Sequence, residues 1–269
     1  MVYSECVTNR TPFLEITYPE LERQDRKSLF SFFHLNKKNR EGRIFFKSFN
    51  EQEFIGEEVC RLRNIRSAHY FLLGINPNTL EKYRRTNYYG NIKFNNYKFM
   101  IGSYDFRDLD KEYFDLSELN LENNPLETIL NMCPNDENRD EVLNEILDFT
   151  ALDVFMGQAD RCDKNVMIER DKNGIIHIAP LYDFQYSLKV SSLFYENDFV
   201  SFRSDRDYYK FMDEHSRFRD LLESYSDEDL YSITQFAFDK RSMHIPDNYS
   251  DYLKGYSKNR RQLIKNILK

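Results

Sequence analysis

The sequence predicts an α+β fold in which a β-rich first part is followed by a mainly helical second part. Short apolar runs typical of strands are concentrated before about residue 105. A long apolar segment near residue 150 is typical of a buried helix, and helical patterns continue to residue 269. The change of pattern predicts two units, residues 1–105 and residues 106–269.

The composition is that of a globular protein. Hydrophobic residues make up 41% of the 269 residues and charged residues 31%, which is enough for a sizeable core under a solvated surface. The formal net charge of −7 argues against a dedicated nucleic-acid binder. Residues 1–10 do not resemble a signal peptide and no apolar run could span a membrane, so we expect a cytoplasmic protein. Four scattered cysteines match no zinc spacing and are expected to be reduced thiols.

The first part should form a small curled sheet with one helix packed on it. The helix is predicted over residues 50–64, where Phe54, Ile55, Val59 and Leu62 share one face. Alternating or apolar runs predict five strands, at residues 13–18, 28–35, 43–49, 68–73 and 97–103.

The second part should begin with a buried helix over residues 137–157, capped by Asn135 or Asp136. A β-hairpin is predicted next, with strands at 166–170 and 174–178, because an Asn-Gly step is a strong turn signal. Two or three further helices are predicted over residues 205–269, with starts near 226–228 and 250–251.

Three polar residues around this hairpin have the order needed for phosphoryl transfer. Asp160 and Asn165 lie five residues apart after the buried helix, and Asp183 follows the hairpin 18 residues later. Phosphoryl transfer from ATP uses an Asp that accepts the proton of the attacking hydroxyl, and an Asn and a second Asp that hold Mg²⁺. The spacing alone is weak evidence, since a polar loop could simply cap the helix, but the helix and hairpin around it strengthen the prediction.

A phosphate-binding lysine is predicted on the strand at 43–49. Lys47 lies within an apolar run, and burying a lone ammonium is costly unless it meets a carboxylate or a phosphate. Helical geometry at about 100° per residue places Glu58 inside the apolar stripe of the following helix and Glu57 outside it. Glu58 is therefore the first choice for the partner of Lys47, and Glu57 the second.

These residues together resemble the HipA-like serine/threonine kinases. The resemblance lies in Asp-Arg-x-x-x-Asn at 160–165, Ala-Pro-Leu-Tyr-Asp at 179–183 and the nearby Ser187, and it is strong over residues 146–187. It implies a two-lobed protein-kinase-like fold with ATP and Mg²⁺ in the cleft. By this resemblance Asp160 is the catalytic base, Asn165 and Asp183 are the metal ligands, and Lys47 contacts the α- and β-phosphates.

Two further nucleotide contacts are expected. A hinge near residues 102–110 follows the last strand of the first part, and Gly102 and Tyr104 should lie against the adenine. The loop over the phosphates should be residues 19–28, with Arg26 and Lys27 supplying positive charge. No glycine precedes Gly42, so this loop departs from the glycine-rich pattern and should approach a nucleotide less closely.

Three functions fit these features. The first is a HipA-like kinase that phosphorylates Ser or Thr of a protein, with itself as a further substrate and with an antitoxin or a host protein as candidate partner. The second is a lipid or small-molecule kinase of the phosphoinositide-kinase type, which shares the Asp-Arg-x-x-x-Asn loop. The third is a catalytically weak pseudokinase that acts by binding, which the glycine-free loop favours and the filled catalytic positions disfavour.

Overall fold

The larger sheet of the protein has six strands, and its first and fifth strands along the chain, β1 (Leu14–Ile16) and β5 (Tyr70–Ile75), run parallel. The computed structural model describes residues 14–16, 21–22, 31–37, 40–75, 99–108, 110–116, 119, 125–158, 161, 165–189, 192–193, 195–196 and 199–269. The strands are β1 (Leu14–Ile16), β2 (Leu21–Glu22), β3 (Ser31–Lys37), β4 (Arg40–Ser48), β5 (Tyr70–Ile75) and β6 (Phe99–Tyr104). Their order across the sheet is β1-β5-β6-β4-β3-β2. The five predicted strands are confirmed within a few residues, and β2 is additional.

Helix α1 (Gln52–Leu62) connects β4 to β5. Asn50 Oδ1 accepts a hydrogen bond from the backbone N–H of Gln52, and so satisfies one of the donors left open at the helix start. The helix is buried on almost every side rather than along one stripe. Leu62, which the sequence places in the apolar stripe, is 45% exposed. The stripe therefore does not define the buried face of α1.

Six helices make up most of the second part within the described residues. Helix α3 (Asp136–Met156) is the long buried helix that the sequence predicts, and every residue from Phe149 to Met156 is buried. Asn135 caps it by accepting from the backbone N–H of Asn138, and Gly157 ends it with a left-handed φ of 61°. The helices are α2 (Pro125–Met132), α3 (Asp136–Met156), α4 (Asp205–Glu214), α5 (Ser216–Ser226), α6 (Leu230–Asp239) and α7 (Asp247–Ile267).

The predicted hairpin is confirmed, and it carries a third strand. Its strands β8 (Met167–Arg170) and β9 (Ile176–Ile178) pair antiparallel, and β7 (Glu112–Asp115) pairs with β8 on the other side. Asp171 Oδ1 accepts from the N–H groups of Asn173 and Ile175, which closes the turn before Gly174 at φ 83°. The bounds are β7 (Glu112–Asp115), β8 (Met167–Arg170), β9 (Ile176–Ile178), and the short pair β10 (Tyr195–Glu196) and β11 (Ser201–Phe202).

The predicted helix starts near 226–228 and 250–251 are wrong by a few residues. Ser226 ends α5, and α6 begins after Asp229, whose carboxylate accepts from Ser232 and Ser257. Helix α7 begins at Asp247, because Pro246 O already accepts from the N–H groups of Tyr249 and Ser250. Within the described part of the chain, every helix is too short or too polar to span a bilayer.

One cluster of buried hydrophobic side chains connects the parts of the molecule. It runs from Phe54 of α1 through Phe155 of α3 to Leu253 of α7, and includes Leu72 and Ile101 of the large sheet. Helix α1 therefore packs between the sheet and the helices. The division into units 1–105 and 106–269 stays a prediction.

Candidate active site

The loop after α3 is anchored by a buried arginine. The guanidinium of Arg161 pairs with both carboxylate oxygens of Asp153 in α3, with Nε–Oδ2 at 2.9 Å and Nη2–Oδ1 at 3.0 Å. Both side chains are 0% exposed. Burial alone would lower the pKa of the guanidinium, but the Asp153 carboxylate raises it above its ordinary value, so Arg161 keeps its positive charge inside the protein.

The remaining nitrogen of this guanidinium connects the two predicted metal-binding segments. Arg161 Nη1 donates to the backbone oxygen of Asn165 at 3.3 Å and to that of Tyr182 at 2.7 Å. Asn165 and Asp183 are 8% and 6% exposed. One side chain thus holds the backbone at Asn165 and the residue before Asp183.

Asp183 is fixed through its own backbone. It has a left-handed φ of 59°, a conformation that Asp adopts more readily than most residues. Its N–H donates to the hydroxyl of Tyr70 at 3.0 Å, and its carbonyl accepts from Nε2 of Gln158 at 2.8 Å. Gln158 also accepts from Ser187, the serine of the motif, which is fully buried. The backbone around Asp183 is therefore held from both the sheet and the loop.

A glutamate that the sequence analysis missed contacts the next residue. The backbone N–H of Phe184 donates to Oε2 of Glu53 at 3.0 Å, and Glu53 is 0% exposed. Glu53 also interacts with the hydroxyl of Tyr70, whose pKa burial raises well above its ordinary value. The signal available in the sequence is the spacing of four residues between Glu53 and Glu57, which puts both on one helix face.

The two glutamates preferred from the sequence form ion pairs within the described residues. Glu58 pairs with Arg61 of its own helix at 2.5 Å and with Lys240, just after α6, at 3.7 Å. Glu57 pairs with Arg241 at 2.5 Å and with His69 at 2.6 Å. These ion pairs tie α1 to the end of α6.

The contact of Glu58 or Glu57 with Lys47 stays a prediction, because only the backbone of Lys47 is described. That backbone pairs with Ile101 of β6, which in turn pairs with Leu72 of β5. Asp160, Arg26 and Lys27 lie outside the described residues, so their roles stay predictions.

The residues that follow β6, within the predicted hinge, begin with a turn at Asp105. Asp105 accepts from the backbone N–H of Arg107 and pairs with its guanidinium, which also lies 5.5 Å from the ring centroid of Phe45. Tyr104 is 49% exposed, and its ring centroid lies 4.8 Å from that of Phe71 with the two rings tilted by 37°. A Cβ on Gly102 would lie 2.7 Å from Cδ1 of Leu73, so a larger residue there would displace the Leu73 side chain. Their contact with a nucleotide stays a prediction.

No protein-family model and no curated protein matches the sequence. Solved structures do match it over most of the chain. The crystal structure of the Helicobacter pylori proinflammatory kinase CtkA has a TM-score of 0.64 at 15% identity, covering 96% of this chain and 97% of that chain. HipA from the Shewanella oneidensis toxin–antitoxin complex with HipB and operator DNA has a TM-score of 0.57 at 11% identity, covering 91% of this chain and 65% of HipA.

The chain has the fold of the HipA-like kinases. Identities this low establish the fold, and the chemistry has to be argued from the side chains of the site. The HipA-like fold predicted from the motifs at Asp160–Asn165 and Asp183 is therefore confirmed.

The oxygen donors of Asn165 and Asp183 fit a magnesium ion. Asn165 offers an amide oxygen and Asp183 a carboxylate, and both are hard oxygen donors. Mg²⁺ is usually held by one or two carboxylates together with substrate phosphates and water rather than by an all-protein cage. Among the described residues no group of three or more His, Cys, Asp and Glu side chains could hold a metal ion. A site shared with phosphates is the arrangement that these residues can supply.

A close contact between α1 and Phe184 gives a stability prediction. A Cβ on Gly56 would lie 2.2 Å from Cγ of Phe184, a side chain that is fully buried. We expect Gly56→Ala to lower the free energy of unfolding by about 1–3 kcal/mol, as overpacking does, despite the higher helix propensity of alanine. Urea unfolding followed by circular dichroism measures this change.

The matched control is Gly255 of α7, where an added Cβ meets nothing within 4 Å. Gly255→Ala should raise the free energy of unfolding by up to about 1 kcal/mol through helix propensity alone. If Gly56→Ala stabilised the protein as Gly255→Ala does, the packing of Phe184 on α1 would be wrong.

Proposed function

We propose that this protein is an ATP- and Mg²⁺-dependent serine/threonine protein kinase of the HipA-like type. One observation carries the proposal. In a chain with the HipA-like fold, Arg161 donates hydrogen bonds both to the backbone of Asn165 and to that of Tyr182, the residue before Asp183. In this proposal residues 1–105 and 106–269 are the two lobes, and the cleft lies beside the hinge at 102–110.

The proposed reaction moves the γ-phosphoryl group of ATP to a hydroxyl of the acceptor. Asp160 accepts the proton of that hydroxyl as its oxygen bonds to phosphorus, and the bond from phosphorus to the β–γ bridging oxygen breaks to release ADP. Asn165 and Asp183 would hold Mg²⁺ through their side-chain oxygens. When bound, the metal ion neutralises charge on the phosphates.

The sheet and α1 supply the remaining contacts of the proposed nucleotide site. Lys47 contacts the α- and β-phosphates, and Arg26 and Lys27 cover them in a loop without glycine. Glu58, with Glu57 second, remains the carboxylate proposed from the sequence to orient Lys47. Glu53 is a further candidate, since its contacts with Phe184 and Tyr70 lie beside Asp183. Gly102 and Tyr104 lie along the adenine, as the sequence predicts.

The proposed acceptor is a serine or threonine of a protein substrate or of the enzyme itself. The HipA structure contains HipB and operator DNA, so an antitoxin is one candidate partner here, and a host protein is the other. The net charge of −7 gives no support for direct binding to nucleic acid or to an anionic membrane. We propose a cytoplasmic protein.

The proposal is tested by incubating the protein with labelled ATP and Mg²⁺ in a cell lysate and separating the products. Label in protein as phosphoserine or phosphothreonine, absent with Asp160→Asn, supports the proposal. Label in the organic extract would support the lipid kinase instead. Nucleotide binding without any labelled product would support a pseudokinase.

A further inference from the structure

The guanidinium of Arg161 makes contacts with three different segments of the protein. Nε and Nη2 are taken by Asp153 of α3, so the plane of the guanidinium is fixed relative to a buried helix. Nη1 then points its two hydrogens at two carbonyls from segments that are far apart in sequence, Asn165 and Tyr182. The ring of Phe184 lies 5.2 Å from the same guanidinium and adds a cation–π contact.

We propose that Arg161 is a positioning residue that sets the separation of Asn165 and Asp183 and so determines how well the pair binds a metal ion. The proposal rests on the proposed function, since it concerns the same two ligands. Arg161 itself touches backbone oxygens and the carboxylate of Asp153, so its effect on the metal passes through the backbone next to each ligand.

The geometry requires arginine rather than a positive charge. A guanidinium presents five N–H donors in a rigid plane, which allows one side chain to pair with a carboxylate and still donate to two carbonyls. A lysine ammonium is a point donor on a flexible stem, and cannot make all these contacts at the observed separations. Arg161→Lys therefore keeps the charge beside Asp153 but releases at least one of the two segments.

The protein contains a matched control in Arg260 of α7. Arg260 is also buried, and it donates to the backbone oxygens of Val154 and Ser192. Neither of these carbonyls belongs to a residue next to the proposed metal ligands. Val154 does follow Asp153, but its carbonyl also accepts from the N–H of Gly157 at the end of α3, which keeps this part of the helix in place in the variant. Arg260→Lys should therefore disturb buried arginine contacts of the same kind without changing the spacing of Asn165 and Asp183.

The test compares wild type, Arg161→Lys and Arg260→Lys by thermal unfolding and by titration of Mg²⁺ in the presence of a non-hydrolysable ATP analogue in a calorimeter. Loss of a residue that positions a metal ligand typically lowers the affinity for the metal by about 10- to 100-fold. We expect Arg161→Lys to weaken Mg²⁺ binding by a factor of this size. Arg260→Lys should lose stability but stay close to the Mg²⁺ affinity of the wild type. Equal affinities for the two variants would overturn the positioning role while leaving the kinase proposal intact.

A second measurement needs no variant that could fail to fold. In ¹⁵N-labelled wild type, Mg²⁺ with the ATP analogue should shift the Nε–H resonance of Arg161 and leave that of Arg260 in place. A wild type that binds the analogue without any shift at Arg161 would overturn the positioning role alone. A wild type that binds neither Mg²⁺ nor the analogue would overturn the proposed function together with this inference.

Discussion

Replacing Asp160 by asparagine is expected to lower the rate of phosphotransfer by about 10²- to 10⁴-fold, the contribution usual for a general base. Asparagine has nearly the same shape as aspartate but does not accept the proton of the attacking hydroxyl. Binding of Mg²⁺ and an ATP analogue should stay close to wild type, because Asp160 is not a proposed metal ligand. A quench assay with labelled ATP and a titration of the analogue measure the two quantities separately.

Asp183→Asn is the informative companion to this variant. It removes a proposed ligand carboxylate, so binding of Mg²⁺ with the analogue should itself weaken. The neighbouring backbone contacts to Tyr70 and Gln158 do not involve the altered group and should keep the segment folded. If both variants turned over at the wild-type rate, the assignment of this site as a kinase centre would be wrong.

The largest effect on stability is expected at Asp153. Asp153→Ala leaves the guanidinium of Arg161 buried without its carboxylate, and also removes the acceptor of the Tyr195 hydroxyl. Breaking a buried ion pair by removing one partner typically costs about 3–5 kcal/mol. We expect a loss of that size in the free energy of unfolding, measured by urea titration.

Asp148→Ala provides the control from the same helix. Asp148 pairs with Arg217 at 2.7 Å, but the two side chains are 24% and 48% exposed. Pairs at the surface are worth about 0–1 kcal/mol, so this variant should remain close to wild type. An equal loss for Asp148→Ala and Asp153→Ala would mean that Asp153 and Arg161 do not form a structural centre.

The features that could be predicted from the sequence are those with a local cause. Helix α3 has an unbroken apolar second half and a capping Asn135, and the hairpin has its Asn-Gly turn, so each follows from a few adjacent residues. The order of Asp160, Asn165 and Asp183 is also local information. The HipA-like fold could be predicted once the motifs at 160–165 and 179–183 and Ser187 were compared with that family.

The features that could not be predicted depend on contacts between distant segments. Glu53 lies next to Phe184 because α1 packs beside the hairpin exit, and the stripe used to rank the glutamates included Leu62, which is exposed. The pairing of Arg161 with Asp153 joins residues eight apart across a helix end. Strand β7 is recognisable only through its partner β8.

The way Asp183 is held has a consequence for the thermodynamics of ligand binding. Its N–H and carbonyl and the N–H of Phe184 each have a partner in the protein alone. The conformational entropy of this segment is therefore lost during folding and not when a ligand arrives. A ligand residue whose backbone is already ordered binds more tightly than one whose backbone must first be ordered, because association carries a smaller entropic penalty. The left-handed backbone of Asp183 lowers the free energy of unfolding. In return, the segment is already ordered when the proposed metal–nucleotide ligand binds, which improves the affinity for that ligand.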